Sequence, residues 1–274
     1  MNVAVIGLGE VGAPTLRYVA HRFTKAYVTG YDISQSVLDR LRTEGLPVQP
    51  MINLRRHSVY LIDVPTNRVV DVLDALNPKP DDLISIESTV EPRFFLRPDL
   101  PDAHIVHCPH RFWKGDPVNR GVRQLRVFGS LNEEAWSQGF DFYWKRLKIP
   151  LISMSSAFAA ALVKVTENAY RYLQIAFTEE LSVLCEKLQP SGPVSLFKEL
   201  ADAANAYDRT WRPEWTVHIL EARDGIGGHC LPLAAEILRN LGSDLVGTAI
   251  RVDDEYRKWK KATSSAPRWE RREP

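Results

Sequence analysis

The feature of this 274-residue sequence with the clearest chemical potential is a cysteine in a glycine-rich turn. Residues 224–232 read DGIGGHCLP, with His229 directly before Cys230. Glycines permit positive φ angles and a close approach of the backbone to a ligand, and a neighbouring histidine favours the reactive thiolate. Cys230 is therefore a candidate nucleophile. The alternative interpretation is a small buried residue that only packs in a tight turn.

A lysine and an asparagine four residues apart form a second candidate group. Apolar residues recur with a helical period from about residue 155 to residue 185, which predicts one long helix. Lys164 and Asn168 share one face of that helix, so both can reach a single substrate oxygen. Thr166 and Glu167 point elsewhere, and we interpret them as structural.

The start of the chain has the pattern of a segment that binds a dinucleotide cofactor. Residues 2–6 read as a buried parallel strand, and residues 7–12 read GLGEVG before a helix. In this pattern Gly7 makes the turn, Gly9 lets a pyrophosphate approach the helix N-terminus, and Gly12 lets helix and strand pack closely. The predicted cofactor contacts in this segment are Gly7, Gly9, Glu10, Val11 and Gly12.

An aspartate after the second predicted strand indicates which dinucleotide binds. The strand covers residues 26–31 and ends at Asp32, which stands 20 residues after Gly12 (32 minus 12). A carboxylate there accepts a hydrogen bond from a ribose 2′-hydroxyl and repels a 2′-phosphate, so we expect NAD rather than NADP. The alternative is an aspartate that caps a helix, followed by Ser34.

The rest of the first half alternates between strands and helices. Strands are predicted at 58–64, 83–86, 105–107 and 125–129, with turn or helix material at 68–76 and 132–146. This order predicts an α/β fold, an N-terminal doubly wound parallel Rossmann sheet followed by an all-helical part. Ligands bind at the carboxyl ends of such strands. The expected further cofactor contacts are Val64, Pro65, Thr66, Ser88 and Thr89, although their hydroxyls can equally be loop caps.

The pattern divides the chain into three predicted parts. Residues 1–150 form an NAD-binding Rossmann domain, residues 151–260 a helical substrate and dimerisation domain, and residues 261–274 a flexible polar tail. With 45% hydrophobic and 25% charged residues, the composition is that of an ordinary globular protein. Because 35 basic residues nearly balance 34 acidic ones, we expect neither nucleic acid nor an anionic membrane as the partner.

The number of cysteines and the hydropathy of the chain indicate the cellular compartment in which the protein is expected. The three cysteines, Cys108, Cys185 and Cys230, are too few and too scattered for a disulfide framework or a zinc cluster. The first residues read as a strand rather than a signal peptide, and no apolar run reaches the roughly 20 residues that span a bilayer. We therefore expect a soluble cytoplasmic protein that acts on a small molecule and binds no metal.

These motifs, taken in chain order, resemble those of the UDP-glucose/GDP-mannose dehydrogenase superfamily of nucleotide-sugar 6-dehydrogenases, and the UDP-N-acetylmannosamine type in particular. The resemblance extends from Met1 to about Trp259 and is most specific in the lysine-to-asparagine helix combined with the cysteine turn. The segments that carry it are 7–12, Asp32, 64–66, 88–90, 164–168, 175–177, 180–181 and 225–232.

The resemblance implies a mechanism and a role for each matching residue. NAD takes hydride from a primary alcohol, Cys230 captures the aldehyde as a thiohemiacetal, a second hydride leaves, and water releases an acid. Lys164 and Asn168 stabilise the developing oxyanion, and Thr89 helps to hold a water. The implied substrate contacts are Arg111, Phe112, Trp113, Lys114, Lys164, Asn168, Gly227 and Gly228. Residues 211–215 are expected to add contacts to the substrate or to pack against another subunit.

Three positions depart from the pattern of the family. His110, Ala161 and Ala234 stand where the family usually has a glutamate, a glutamate and an aspartate. Since a methyl group cannot activate water, we expect an oxidation that stops at the aldehyde. His110 has two interpretations of equal weight: a replacement base, whose ordinary pKa of about 6.5 suits proton transfer, or a hydrogen-bonded wall residue.

The resemblance also implies a third, nucleotide-holding domain for which this sequence has no counterpart after Trp259. Two hypotheses follow: the substrate lacks a UDP group, or a second copy completes the site in a homodimer formed through the long helix. Two other functions stay open. One is a two-electron β-hydroxyacid-type dehydrogenase in which Cys230 is dispensable, and the other is a non-catalytic NAD-binding partner or regulatory subunit.

Overall fold

The computed structural model describes residues 1–189, 195–210, 220 and 222–265. The chain divides into two compact units, Met1–Lys164 and Val165–Pro274. The boundary falls within the helix Ala157–Leu188, whereas the sequence pattern placed it at residue 150. Each unit is described by itself. Residues 261–265, expected to begin a polar tail, are helical. The remainder of that tail lies outside the described residues.

A mostly parallel sheet of eight strands forms the centre of the first unit. Its strands are β1 (Val3–Ile6), β2 (Val28–Asp32), β3 (Val48–Pro50), β4 (Val59–Ile62), β5 (Leu83–Ile86), β6 (His104–His107), β7 (Arg126–Ser130) and β8 (Leu151–Ser153). They lie in the order β3-β2-β1-β4-β5-β6-β7-β8, and every pair is parallel except β6 with β7. The first six follow the strand order of dinucleotide-binding sheets.

Helices connect the strands of this sheet. The α-helices are α1 (Gly12–Arg22), α2 (Gln35–Thr43), α3 (Val69–Leu76) and α4 (Glu133–Phe140). Short 3-10 turns occupy Lys25–Tyr27, Met51–Asn53, Thr66–Arg68 and Pro92–Leu96, and wider π turns occupy Val118–Val122 and Asp141–Arg146. Parallel strands need such crossover connections, which cover both faces of the sheet.

Two apolar cores, one on each face, hold the sheet between its helices. Val3 and Val5 of β1 point into the core that contains Leu16 of α1. Ala4 and Ile6 point into the opposite core with Leu73 of α3. Alternate residues of a strand face opposite sides of a sheet. Because both sides are covered, β1 is apolar throughout and fully buried.

The predicted α/β class is confirmed. All six predicted strands and the helices that follow them occur within a few residues of their predicted bounds. The sequence pattern missed three elements, α2, β3 and β8. The last two are only three residues long, and so short a segment carries almost no alternation of apolar and polar residues.

The second unit is helical where it is described. Its helices are α5 (Ala157–Leu188), which begins in the first unit, α6 (Leu196–Thr210), α7 (Cys230–Asn240) and α8 (Asp244–Ser265). Tyr172 and Ala176 of α5, Ala235 of α7 and Ala249 of α8 share a buried apolar cluster with Ile226. None of the described helices has the length and apolar character needed to cross a membrane.

The approach of β7 to the start of α5 leaves no room for a side chain at Gly129. A Cβ atom there would lie 2.0 Å from the carbonyl oxygen of Ser156. We expect Gly129→Ala to lower the melting temperature by several degrees, because overpacking costs about 1–3 kcal/mol. Gly247→Ala in α8, where the Cβ would make an ordinary van der Waals contact at 3.5 Å from the Arg239 side chain, is the control and should stabilise the protein by about 0.5–1 kcal/mol. Equal melting temperatures for the two variants would contradict this packing.

Candidate active site

A groove of about 600 Å³ lies beside the carboxyl ends of β1, β2 and β4. Five residues predicted to bind the cofactor line it: Gly7, Gly9, Asp32, Val64 and Pro65. Its lining also includes Ile33, Met51, Asp63, Arg68 and Asp71, which the motif-based prediction did not include. The groove occupies the place where an open parallel sheet binds a dinucleotide.

The three glycines of the first turn have different physical roles. Gly7 has a φ of +86°, and a Cβ atom there would lie 2.4 Å from the carbonyl oxygen of Asp63. At Gly12 a Cβ atom would lie 1.8 Å from the carbonyl oxygen of Gly7. At Gly9 no atom lies within 4 Å of a Cβ, so this glycine faces open space. The protein itself requires Gly7 and Gly12, whereas Gly9 leaves room for a ligand.

Asp32 connects the glycine turn to the end of β2. Its Oδ2 accepts a hydrogen bond from the backbone N–H of Leu8 at 2.6 Å, and Oδ1 accepts one from Ser34 at 2.7 Å. Each carboxylate oxygen can accept more than one hydrogen bond. These bonds therefore fix the carboxylate at the groove and still leave acceptor capacity for a ribose hydroxyl.

The hydroxyl groups after β4 and β5 hold the strand ends together. Ser88 Oγ donates to the carbonyl oxygen of Val64 at 2.7 Å and accepts from the Val64 N–H at 3.1 Å. Thr66 Oγ1 donates to the carbonyl oxygen of Thr89 at 2.5 Å. For Ser88 and Thr66 these contacts match the loop-cap interpretation. They shape the groove wall at Val64 and Pro65.

A buried ion pair lies beneath this edge of the sheet. Glu87 follows β5 and Arg126 begins β7, and both side chains have zero exposure. Arg126 Nη1 lies 3.2 Å from Glu87 Oε2, and Nη2 donates to the carbonyl oxygen of Val122 at 2.7 Å. The hydroxyl of Tyr143 donates to Glu87 Oε1. Burial opposes ionisation of Glu87, but His110 and Arg126 outweigh it and lower its pKa to about 2.

His110 belongs to the same cluster. Its Nε2 contacts Glu87 Oε2 and lies 3.4 Å from Thr15 Oγ1 of α1. Burial and the charge of Arg126 lower the pKa of His110 to about 4, so the ring is neutral at pH 7. Among the described residues, nothing hydrogen-bonds to its buried Nδ1.

Asp63 joins the cluster to the cofactor groove. It follows β4 and lines the groove, and its Oδ1 lies 3.6 Å from His110 Nε2. Burial and repulsion from Glu87 raise the pKa of Asp63 well above its usual range. Asp63 and Arg126 were not predicted as site residues. The available signal was a charged residue at the end of an otherwise apolar strand, directly after it in YLID for Asp63 and as its first residue in RVFG for Arg126.

Asp63, Glu87 and His110 place three ligand atoms within 4.8 Å of one another. Carboxylates and imidazoles bind divalent metals, but here Arg126 already contacts Glu87 and a buried lysine adds a second positive charge. A metal cation would have to displace or repel both. We therefore assign no metal to this cluster.

Lys164 is that buried lysine. Only 8% of its surface is exposed, and its charge lowers the pKa values of both His107 and His110. This electrostatic influence, which adds to the larger effect of burial on both histidines, places Lys164 in the same environment as Glu87. Asn168 follows one helical turn later on α5 and is half-buried. The predicted helical spacing of Lys164 and Asn168 is thus present.

The predicted substrate loop 111–114 lies at the surface of the first unit. The ring of Trp113 is 54% exposed and stacks under Arg120, whose guanidinium carbon lies 5.1 Å from the ring centre. Lys114 Nζ lies 2.6 Å from Glu10 Oε1, and both side chains are exposed. Phe112 packs against Gly121, and Arg111 is half-buried. Glu10 and Lys114 therefore form a surface ion pair.

Cys230 is exposed and begins α7, whereas Cys108 and Cys185 are buried. Gly225 and Gly228 in the preceding turn have φ angles of +103° and +82°. Gly227 lines a cavity of about 390 Å³ in the second unit, together with Arg171, Glu179 and Arg223.

A clamp from α8 holds the turn before the cysteine. The N–H of Ile226 donates to Asp253 Oδ1 at 2.9 Å, and Arg257 donates to the carbonyl oxygen of Ile226. Asp253 Oδ2 also accepts from the hydroxyl of Tyr172 at 2.9 Å. Both polar groups of one residue in the turn are thus fixed, four residues before Cys230.

A second buried carboxyl group, Glu179 of α5, lies beside this clamp. Burial, followed by the charge of Asp253, raises the pKa of Glu179 to about 8. It is therefore mostly protonated at neutral pH, which avoids placing two negative charges together. The motif-based prediction did not include Glu179, Asp253 or Arg257.

The structure also locates the remaining predicted positions. Ala161 of the first unit and Ala234 of the second are both fully buried, Ala234 in an apolar cluster with Val165 and Ile237. Neither position brings a carboxylate to its surroundings. Residues 211–215, expected to contact substrate or another subunit, lie outside the described residues.

The strand order, the glycine turn and the acid at the end of β2 define the Rossmann class of dinucleotide-binding folds. Residues 159–252 match the model of the UDP-glucose/GDP-mannose dehydrogenase family, central domain. The chain is 28% identical to the UDP-N-acetyl-D-mannosamine dehydrogenase of Campylobacter jejuni, over 84% of this chain and 65% of that protein. It is also 28% identical to an NDP-N-acetyl-D-galactosaminuronic acid dehydrogenase of Ralstonia nicotianae, over 92% and 68%. The chain is therefore similar to nucleotide-sugar dehydrogenases, and it spans about two thirds of the length of these relatives.

Solved structures agree on the fold. The UDP-D-ManNAc dehydrogenase of Pyrococcus horikoshii matches with a TM-score of 0.78 at 23% identity, over 96% of this chain and 71% of that one. The 3-hydroxyisobutyrate dehydrogenase of Mycobacterium tuberculosis matches with a TM-score of 0.65 at 18% identity, over 95% and 94%. At these identities the structural likeness supports the fold alone.

The different roles of Gly9 and Gly12 can be separated by experiment. We expect Gly12→Ala to lower the melting temperature by several degrees, since its Cβ would meet the Gly7 carbonyl. Gly9→Ala should leave the melting temperature almost unchanged and weaken NAD binding by about tenfold or more, because the methyl group would occupy ligand space. Thermal unfolding and calorimetric NAD titration measure the two effects. Undiminished NAD affinity in Gly9→Ala would refute the assigned groove.

Glu179 predicts a pH dependence of stability. Between its ordinary pKa of 4.5 and its folded pKa of about 8, the folded state holds a proton that the unfolded state has lost. Stability therefore falls as pH rises through this interval. Glu179→Gln removes this loss, so its gain in melting temperature should be larger at pH 8 than at pH 5. The exposed neighbour Glu180→Gln is the control, and an equal gain at both pH values would contradict the assignment.

Proposed function

We propose that this protein catalyses the NAD-dependent oxidation of a primary alcohol on a sugar-like or nucleotide-sugar small molecule. One observation carries the proposal. A buried lysine, Lys164, and a neutral buried histidine, His110, share a charged cluster whose member Asp63 lines the dinucleotide groove. A cation and a base beside a nicotinamide site are what alcohol oxidation requires.

The residues present fit NAD. Gly9 leaves open space at the turn, Asp32 retains acceptor capacity for the ribose, and Val64 and Pro65 form the wall of the groove. A bound NAD would supply the hydride acceptor. The carboxylate of Asp32 would repel the 2′-phosphate of NADP, which supports NAD as the cofactor.

The first oxidation needs one group to stabilise charge and another to take a proton. As the hydride leaves the alcohol carbon, the hydroxyl oxygen gains negative charge, which the ammonium of Lys164 stabilises. The hydroxyl proton passes to a base, and neutral His110 is the candidate. Asn168, one turn after Lys164, can donate a hydrogen bond to the same oxygen. Thr89 is proposed to hold a water.

Cys230 is the candidate nucleophile toward the aldehyde. Its exposure and its place at the start of α7 support attack of the sulfur on the aldehyde carbon, which forms a thiohemiacetal. The clamp of Asp253 and Arg257 on Ile226 keeps the preceding turn in place. Because the turn is held in place, the thiol of Cys230 keeps a fixed orientation, which a nucleophile needs for attack from one direction.

We propose the aldehyde as the released product. It leaves when the thiohemiacetal reverts: the C–S bond breaks, its electron pair returns to the Cys230 sulfur, and the hydroxyl proton passes to that sulfur. A second oxidation to an acid needs a base that activates water, and Ala161 and Ala234 bring no carboxylate. The names of the relatives, UDP-N-acetyl-D-mannosamine dehydrogenase and NDP-N-acetyl-D-galactosaminuronic acid dehydrogenase, support a substrate of the same chemical class. Arg111, Phe112, Trp113, Lys114, Gly227 and Gly228 are the proposed substrate contacts.

A homodimer through α5 accompanies this proposal. Phe177, Leu184 and Leu188 lie on that helix and expose 56%, 48% and 69% of their surfaces. Apolar residues exposed on one helix are typical of subunit contacts. Concentration-dependent sedimentation would detect such a dimer.

A two-electron β-hydroxyacid dehydrogenase is the second candidate. The buried alanines at 161 and 234 favour it, because it needs neither a thiol nor an activated water. The fold shared with 3-hydroxyisobutyrate dehydrogenase is compatible with it. A non-catalytic NAD-binding partner is the third possibility, and it would bind NAD without turnover.

Turnover assays separate these functions. We expect NADH to form when the protein, NAD and a panel of nucleotide sugars, sugar phosphates and hydroxyacids are combined. Lys164→Met should reduce kcat about 10²-fold or more, because the oxyanion loses its cation, while the exposed Lys187→Met should not. Cys230→Ser should lower turnover for a sugar-type alcohol and leave turnover of a hydroxyacid unchanged.

The number of NADH formed per substrate distinguishes the products. One NADH indicates an aldehyde or a ketone, and two indicate an acid. NAD binding without NADH from any compound would rule out the proposed enzyme and favour the binding partner. Full activity in Lys164→Met would contradict the proposed role of Lys164 in stabilising the oxyanion.

A further inference from the structure

The contact between Glu87 and His110 determines which nitrogen of the histidine carries a proton. Glu87 is an acceptor only, since Arg126 contacts its Oε2 and keeps the buried carboxylate ionised. A histidine nitrogen that contacts an ionised carboxylate must bring the hydrogen itself. The hydrogen therefore lies on Nε2.

Thr15 supports the same assignment independently. Its hydroxyl donates to the carbonyl oxygen of Val11 at 3.1 Å, so its proton is already used. Its oxygen lies 3.4 Å from His110 Nε2 and can only accept there. Both neighbours of Nε2 thus require a donor at that nitrogen.

The other nitrogen of the ring is consequently the basic one. In a neutral imidazole with hydrogen on Nε2, the lone pair lies on Nδ1. Nδ1 of His110 is buried, and none of the described residues hydrogen-bonds to it. The charges around the ring are Glu87, Asp63, Arg126 and Lys164, and the two cations oppose a second proton on the ring.

We propose that Glu87 is a positioning residue that holds His110 in the Nε2–H tautomer and thereby makes Nδ1 the proton acceptor of the alcohol oxidation. This inference rests on the proposed function for what Nδ1 accepts, but not for the tautomer itself. In the reaction the alcohol C–H bond breaks and its electron pair leaves as hydride to NAD, while the O–H proton moves to Nδ1. The carbon–oxygen double bond forms from the O–H electron pair.

The arrangement explains how a histidine can act where burial opposes its charge. When Nδ1 takes a proton, the imidazolium lies directly against the carboxylate of Glu87, which stabilises it. Without Glu87, the ring would face the cations Arg126 and Lys164 and, as its remaining carboxyl neighbour, Asp63, whose pKa is raised by burial. A carboxylate thus takes part in the proton transfer without contacting substrate.

Nuclear magnetic resonance tests the tautomer without any substrate. The chain has seven histidines, so a sample with ¹⁵N-labelled histidine gives few ring signals, and His110→Gln assigns that of His110. Long-range ¹H–¹⁵N spectra at pH 7 should show a protonated Nε2 and an unprotonated Nδ1. In Glu87→Gln the ring should shift toward a mixture of tautomers, and in the exposed Glu91→Gln control it should match the wild type.

Several results would overturn the proposal. They are a wild-type ring protonated at Nδ1 or at both nitrogens, and a ring unchanged in Glu87→Gln. Glu87→Gln leaves Arg126 buried without its counter-ion and can unfold the protein. The double variant Glu87→Gln with Arg126→Met removes both charges, and the same tautomer comparison applies to it.

Steady-state kinetics test the role of Glu87 in catalysis separately from the tautomer. Glu87→Gln should lower kcat about 10²-fold with little change in KM, and Glu87→Asp should recover part of the loss. The acidic limb of the pH–rate profile should also move, which a purely structural defect would not cause. If no compound yields NADH, the proposed function fails while the tautomer result stands. An unchanged kcat in a folded Glu87→Gln enzyme would refute the positioning role.

Discussion

The buried ion pair of Glu87 and Arg126 is the interaction on which the candidate site depends. A carboxylate with no exposed surface stays ionised only if a cation compensates for its lost hydration. Arg126 supplies that charge at 3.2 Å and is itself fixed by the carbonyl oxygen of Val122. The pair therefore joins the end of β5 to the start of β7. His110 takes its orientation from the same carboxylate.

The cost of burying these charges has a functional meaning. Replacing a buried ion pair by apolar residues of similar size is often neutral or stabilising, so stability alone does not account for this one. The cluster lies where an open parallel sheet binds its ligand, and Asp63 belongs both to it and to the groove. Its two carboxyl groups have pKa values shifted in opposite directions, down to about 2 for Glu87 and upward for Asp63, which is buried and repelled by Glu87. Such divergence is typical of acid–base sites.

Local patterns predicted much of the fold and only part of the site. The apolar run of β1 and the GLGEVG turn are contiguous, so short-range sequence identifies them, and the long period of α5 places Lys164 and Asn168 one turn apart. The Glu87–Arg126 pair joins residues 39 positions apart, and no local pattern reveals it. The clamp of Asp253 on Ile226 spans 27 positions. The sequence directly shows alanines at 161 and 234. It does not show that the carboxylate of Glu87 contacts His110.

A crystal structure with bound NAD would locate the cofactor relative to the buried cluster. We expect the pyrophosphate to lie at Gly9, the ribose on Asp32, and the nicotinamide C4 within about 5 Å of both Lys164 Nζ and His110 Nδ1, close enough for transfer directly or through one water. NAD bound elsewhere, or a nicotinamide remote from both nitrogens, would contradict this expectation.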